Sequence, residues 1–435
     1  MNNMILEEYI KTTEEAKSNT TFQKERIVLL LAAGFSIDAG YPTGSVVNSR
    51  LCSFTKEDFV VAPNGELLDN RIKSFIPSKV NDYNIFEKAY LFLIDIIKHY
   101  TKNSDTAFNY EDFYDAIEVE HKKNHPLVFD ILSDEYRNLA NGYLQDVSYE
   151  RLVSNLPIVY DQLITFAIKG NRNSVFYEDV CKDISCYPKY KNFLKYLIEK
   201  SKNSIIDVFT TNHDLLFESF RNCIGLNGKI SDGFDDFGSE YFGIVRYENF
   251  DYRCRLERYT GKYDTPIRLY KLHGSLDYVL YHKEVKRKVI VDGNRIELLY
   301  AKPSKYVKIK QGISPGEIYK SKRCRRKYDC SSTEIRSDFL SGVQTKISKY
   351  DNPFLYRKLF SHFKRCLKSA DKMIVIGYGC NDSKINELIL NNFNYAEKKV
   401  YMIDPCADKK AEKLKAIPIK KYVSDGILDC NVSHQ

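Results

Sequence analysis

Ile27-Val28-Leu29-Leu30-Leu31-Ala32-Ala33-Gly34-Phe35-Ser36 is the stretch that decides the fold. A short, continuous apolar run that ends on small residues and a glycine reads as a strand buried on both faces and closed by a tight turn. The turn leads into a helix-like start, which Gly40-Tyr41-Pro42 interrupts before the chain resumes toward Leu51. The same pattern of apolar run and polar or glycine turn returns three times. Ile205 to Phe209 precedes Thr210-Thr211-Asn212-His213-Asp214, a third run precedes Lys271-Leu272-His273-Gly274-Ser275, and Met373 to Ile376 precedes Gly377-Tyr378-Gly379-Cys380-Asn381-Asp382. Buried strands alternating with helices imply an α/β fold, a doubly wound, Rossmann-like parallel sheet covered on both faces. Ligands bind beyond the carboxyl ends of such strands, so the four turns are expected to converge on one site.

Two insertions separate the motifs. Residues 54–202 are mainly helical in pattern, with apolar residues at three- and four-residue spacing over Tyr90 to Tyr100, Asp112 to Glu120, Tyr149 to Lys169 and Tyr190 to Lys202. A second, basic insertion at about 278–351 holds strand-like pieces at Lys288 to Val291 and Ile296 to Tyr300 around the turn residues Asp292-Gly293-Asn294. Residues 1–53 and 203–435 then form the core. Between Asp214 and Lys271, aromatic residues and Gly233, Phe234, Phe237, Gly238, Tyr241 and Phe242 read as short strands and loops over a site, or as core. Phe354 to Ala370 is amphipathic, and Val400 to Ile403 is the last clear strand.

Composition narrows the class. The 435 residues exceed a usual single domain, so one large core with insertions or several domains is expected. No apolar run approaches the ~20 residues of a membrane span, and Met1 to Asn19 lacks a signal peptide's order, so the expectation is a cytoplasmic protein with no membrane association. Eleven cysteines without regular spacing fit reduced thiols. Cys181-x4-Cys186 and Cys324-x5-Cys330 lack the paired spacing of a structural zinc ribbon, so no metal is expected. The net charge of +8 is partly clustered at Lys283, Lys286, Arg287 and Lys288 and at Lys322, Arg323, Arg325, Arg326 and Lys327. Such runs serve as solvated surface or, less often, as a patch for nucleic acid.

Each turn has a chemical rationale beside a plain one. The small side chains of Ala33 and Gly34 allow the backbone to approach a pyrophosphate, with amides donating at the helix start; the same turn also closes a strand–helix connection with no ligand. Asn212 carries an amide that donates and accepts without changing charge, or it caps a helix beginning near Leu215. Asp214 fits that cap as well. Histidine's intrinsic pKa lies near neutrality, which suits His273 to act as a general base on water or a ribose hydroxyl. Gly377 and Gly379 would lie against ribose and phosphates, or form a second capped turn. Asp404, ending the last strand, stands where an acidic residue binds ribose hydroxyls, or is a turn residue before Pro405.

Together the four segments resemble the sirtuin family of NAD-consuming enzymes. Ala32-Ala33-Gly34 stands where the family has Gly-Ala-Gly, and Ser36 also fits; Pro42-Thr43-Gly44-Ser45 replaces the Pro-Asp-Phe-Arg of deacylases, and the zinc ribbon is missing. Leu269 to Ser275, Ile376 to Asp382 and the long helical insertion look like the bacterial sirtuin-like NADases of antiviral defence. That resemblance implies NAD as the substrate, Asn212 and His273 as catalytic residues, and Ala33, Gly34, Ser36, Asp214, Gly377, Gly379 and Asp404 as the NAD-binding set, with Asp214 on the carboxamide. It also implies a homo-oligomer or a partner such as a ring ATPase. The other readings are NAD-dependent deacylation or ADP-ribosyl transfer, and a nucleotide- or nucleic-acid-binding subunit that uses the basic insertion.

Overall fold

In the computed structural model, residues 24–61, 67–69, 85–103, 107–119, 134–169, 185–235, 242–247, 250–291, 294–310, 333–334, 337–339, 355–404 and 421–423 are described. The strand Glu25–Leu31 lies between Ser204–Thr210 and Lys372–Ile376 and pairs in parallel with both. Further parallel strands complete a seven-stranded sheet in the order Lys421–Val423, Lys399–Ile403, Lys372–Ile376, Glu25–Leu31, Ser204–Thr210, Ile267–Lys271 and Ile230–Ser231. The chain begins at the middle, builds one half and returns to build the other. Connections therefore leave Leu31 and Ile376 in opposite directions, and the crevice between them is the switch point.

Both faces of the sheet are covered, which is why its strands are apolar throughout. Ile27, Leu29 and Leu31 point into one cluster with Phe35 and the helices Lys191–Lys200 and Leu216–Ser219. Val28 and Leu30, alternating with them, join the helices Tyr356–Ser369 and Ser383–Asn392 on the other face. All five side chains are at most 1% exposed, and burying each contributes roughly 1.5–3 kcal/mol before conformational entropy is counted. The doubly wound α/β architecture expected from the sequence is the one observed.

The helices Ile85–Asn103, Tyr110–Val119, Asp134–Ala140, Tyr149–Ser154 and Leu156–Lys169 bury a cluster of their own, to which Gly44–Ser53 adds Val47 and Leu51. Lys191–Lys200, inside the span read as insertion, instead packs Phe193, Leu194, Tyr196 and Leu197 on the sheet.

The second insertion differs in extent from its expected short pieces. Gly274–Val291 and Asn294–Lys310 form one long antiparallel hairpin, registered from Val279 opposite Val307 to Val291 opposite Asn294. It belongs to a second sheet with Phe242–Tyr247, Phe250–Lys262, Thr333–Glu334 and Ser337–Phe339. Charged residues such as Lys283, Lys286 and Arg287 break the apolar pattern of these strands, so only their ends read as strand in the sequence. The basic run from Lys322 to Lys327, with Phe237, Gly238, Tyr241, Cys181, Cys324 and Cys330, lies outside the described residues.

Candidate functional site

The strand ends are tied together beyond the sheet by backbone hydrogen bonds. Thr211 N donates to Leu31 O, Leu272 N to Thr210 O, Ala32 N to Ile376 O and Gly34 N to Gly377 O, at 2.8–3.1 Å. At the last of these contacts the two chains approach too closely for any side chain. A Cβ on Gly34 would lie 2.6 Å from Gly377 Cα, and one on Gly377, whose φ is +64°, would lie 2.4 Å from Phe35 N. Both positions require glycine because backbone meets backbone there.

Beside this junction opens a cleft of about 1240 Å³ lined by Ala33, Gly34, Asn212, Asp214, His273, Gly377 and Gly379, among others. Seven of the nine residues singled out in the sequence therefore share one surface. Ser36 and Asp404, at 1% and 2% exposure, are not among the lining residues. Ser36 lies one shell behind: its Oγ accepts from Asn212 Nδ2 at 2.9 Å, and the same nitrogen donates to Ala32 O at 3.0 Å. Both amide hydrogens of Asn212 thus fix it to the first turn, which leaves its carbonyl as the group it offers. The helix-capping alternative for Asn212 does not hold, because Asp214 Oδ1 takes the amide of Leu216 at 3.0 Å.

His273 is 6% exposed, and its Nε2 stands 3.1 Å from Asp382 Oδ2. The other oxygen, Oδ1, caps the helix Ser383–Asn392 by accepting from Lys384 N and Ile385 N, each at 3.0 Å. A helix N-terminus thereby anchors the carboxylate that faces the imidazole. The sequence marks Asp382 as a helix start; only the fold makes it the neighbour of His273. Its signal was present in principle, since an N-cap aspartate engages one oxygen and has a second to offer.

Beneath the turns lies a set of buried ions. Lys271 Nζ pairs with Glu218 at 3.1 Å and also donates to the carbonyls of His213 and Asp214. Lys308, from the long hairpin, pairs with Asp232 at 2.6 Å and Asp277 at 3.0 Å, and Arg221 reaches Asp232 at 2.9 Å. Burial alone would raise the Asp232 carboxyl, but Arg221 and Lys308 hold it well below its ordinary value. The Lys308 ammonium is raised despite burial because Asp232 and Asp277 face it. Lys308 thus fastens the long hairpin to Asp232 at the edge of the first sheet, and Lys271 holds the loop that carries Asn212.

The far wall of the cleft was not singled out in the sequence. Helix Tyr356–Ser369 contributes Arg357, Phe360, Ser361 and Lys364, and the helical insertion contributes Tyr110, Glu111 and Ile168. The amphipathic pattern of 354–370 announced a polar face, but not what that face looks onto. Among the described residues no group of three or more His, Cys, Asp or Glu side chains is placed to hold a metal ion, and no helix is long and apolar enough to cross a membrane.

No protein-family model and no curated protein matches the chain. Solved structures similar to it include a sirtuin from a study of sirtuin substrate affinity, 12% identical over 93% of this chain and 91% of that one, with a TM-score of 0.33. A second, from a study of the mechanism and regulation of Sir2 enzymes, is 12% identical over 94% and 90%, with a TM-score of 0.30. A third, Sir2 in complex with an inhibitor, 2′-O-acetyl-ADP-ribose and a deacetylated peptide, is 10% identical over 93% and 90%, with a TM-score of 0.29.

Proposed function

We propose that the cleft binds NAD and that the protein hydrolyses its nicotinamide glycosidic bond, giving nicotinamide and an ADP-ribose product, in bacterial antiviral defence by depletion of the cofactor. The observation that carries this reading is the meeting of Asn212, His273 and Asp382 in one cleft at the switch point of a doubly wound sheet. The sirtuin-like motifs around Gly34, Asn212, His273 and Gly377 supply the choice of NAD.

The residues divide the work as follows. Asn212, held by Ala32 and Ser36, presents a fixed carbonyl acceptor to water or a ribose hydroxyl. Asp382 Oδ2, 3.1 Å from Nε2 of His273, sets negative charge beside the imidazole, which acts as the base that removes a proton from the attacking water. As the bond from C1′ to the nicotinamide nitrogen loosens, positive charge grows on the ribose, and Asp382 and Asp214 supply negative charge in the same cleft. Nicotinamide departs with the bonding electrons and the water oxygen takes its place.

A second reading is favoured by size, because about 1240 Å³ exceeds the roughly 300–1,000 Å³ of a usual small-molecule site and leaves room for an acceptor. That reading is transfer of ADP-ribose, or deacylation, with the same cofactor. The deciding experiment incubates purified protein with NAD and measures nicotinamide and free ADP-ribose together, wild type beside His273→Ala. Equal amounts from wild type alone establish hydrolysis that needs His273; a shortfall of free ADP-ribose indicates transfer. Full turnover by His273→Ala would overturn the role given to that residue.

A further inference from the structure

Four of the amides at the two glycine turns, which could otherwise face a pyrophosphate, are already engaged in this chain. Ala32 N donates to Ile376 O, Gly34 N to Gly377 O, Phe35 N to Ala32 O and Gly377 N to Ile403 O, all at 2.8–3.1 Å. The helix that follows the first turn, Ala33–Ser36, has only four residues, so few peptide dipoles line up behind it. A dinucleotide along this edge brings two negative charges, and removing them from water without a cation is strongly unfavourable.

Positive charge stands on the opposite wall. Arg357, Ser361 and Lys364 are four and three residues apart, hence on one face of helix Tyr356–Ser369, and all three line the cleft. The other face of that helix buries Tyr356, Leu359, Phe363 and Leu367 in the core, so the position of the cationic face is fixed. Arg357 and Lys364 are exposed and have no carboxylate partner among the described residues. Lys384 also lines the cleft, but Glu387 pairs with it at 3.0 Å.

We infer that Arg357 and Lys364 hold the pyrophosphate of the dinucleotide, supplying the charge that the glycine turns do not. Arginine binds a phosphate with two parallel donors and lysine adds a point charge. This assignment rests on the reading of the cleft as an NAD site.

The test is calorimetric titration of the full chain with ADP-ribose and, separately, with adenosine, for wild type, Arg357→Gln, Lys364→Gln and the double variant. Loss of a charged hydrogen-bonding partner is expected to weaken ADP-ribose about tenfold or more in the double variant while leaving adenosine unchanged. The salt dependence of ADP-ribose binding should also become shallower, and Arg357→Lys should restore part of the affinity. Equal ADP-ribose affinity in wild type and double variant would overturn the assignment while leaving the NAD site standing. If wild type binds neither NAD nor ADP-ribose, the NAD reading itself falls, and this assignment with it.

Discussion

His273 and Asp382 face each other at 3.1 Å, Nε2 to Oδ2, while the other oxygen of the same carboxylate is held by two amides at the start of a helix. A carboxylate so anchored sets a fixed negative charge beside the imidazole, which favours an imidazolium formed during turnover. Asp382→Asn separates that charge from the cap, because asparagine caps a helix about as well as aspartate. Nicotinamide release should fall about 10²- to 10⁴-fold with the melting temperature nearly unchanged. Unaltered turnover would show that His273 works without its neighbour.

The junction of Gly34 with Gly377 predicts a stability effect independent of any ligand. A methyl at Gly34 meets the backbone of Gly377 at 2.6 Å, and no side-chain movement relieves a clash with backbone. Gly34→Ala should destabilise the chain by about 1–3 kcal/mol, measured by urea unfolding without NAD. Gly377→Ala adds the strain of its positive φ, and the double variant should lose less than the sum because both methyls force open the same junction. If Gly34→Ala melts like wild type but binds NAD poorly, the glycine serves the ligand and not the junction.

Lys308 is nine-tenths or more buried and faces two buried carboxylates. Lys308→Met leaves Asp277 with only Lys271 and the Ser275 hydroxyl and Asp232 with Arg221 alone, and breaking such a buried pair destabilises by about 3–5 kcal/mol. Chemical denaturation reads this directly. A loss under 1 kcal/mol, on the order of a surface pair, would show that the ions are not held together in solution.

His362 gives a pH signature. Burial against Tyr263 and Tyr270, with Arg365 2.6 Å from its Nδ1, lowers its pKa to about 4 from 6.5, though Asp207 nearby opposes the shift. The folded state therefore prefers neutral His362, while the unfolded chain takes up a proton below pH 6.5. Its contribution to stability is complete above that pH and declines as the pH falls toward 4, where both states are protonated. His362→Gln should flatten this part of the melting-temperature profile. Its ring is partly accessible to solvent, so the effect is smaller than the full shift implies. An unchanged slope would remove His362 as a cause.

The buried apolar runs, the turns that close them and the helical pattern of the first insertion were legible because each is local: burial on both faces leaves a continuous apolar strand, as in Ile27 to Leu31. The long hairpin was legible only in part, since Lys283, Lys286 and Arg287 carry no apolar signature and its strands are held by cross-strand pairing.

The sequence by itself determined that a parallel sheet would bring the turns around Gly34, Asn212, His273 and Gly377 to one edge, since every strand of such a sheet ends on the same side. Tertiary structure alone decided what the groups in those turns have left to give. The amide of Gly34 is engaged by Gly377, the amide of Asn212 by Ala32 and Ser36, and the imidazole of His273 looks onto Asp382. Which cationic helix face meets the cleft was settled in the same way, by packing of Leu359 and Phe363 on the sheet. Local pattern reports which side chains avoid water. Hydrogen-bond partners from distant segments depend on crossover order and register, which no periodicity encodes.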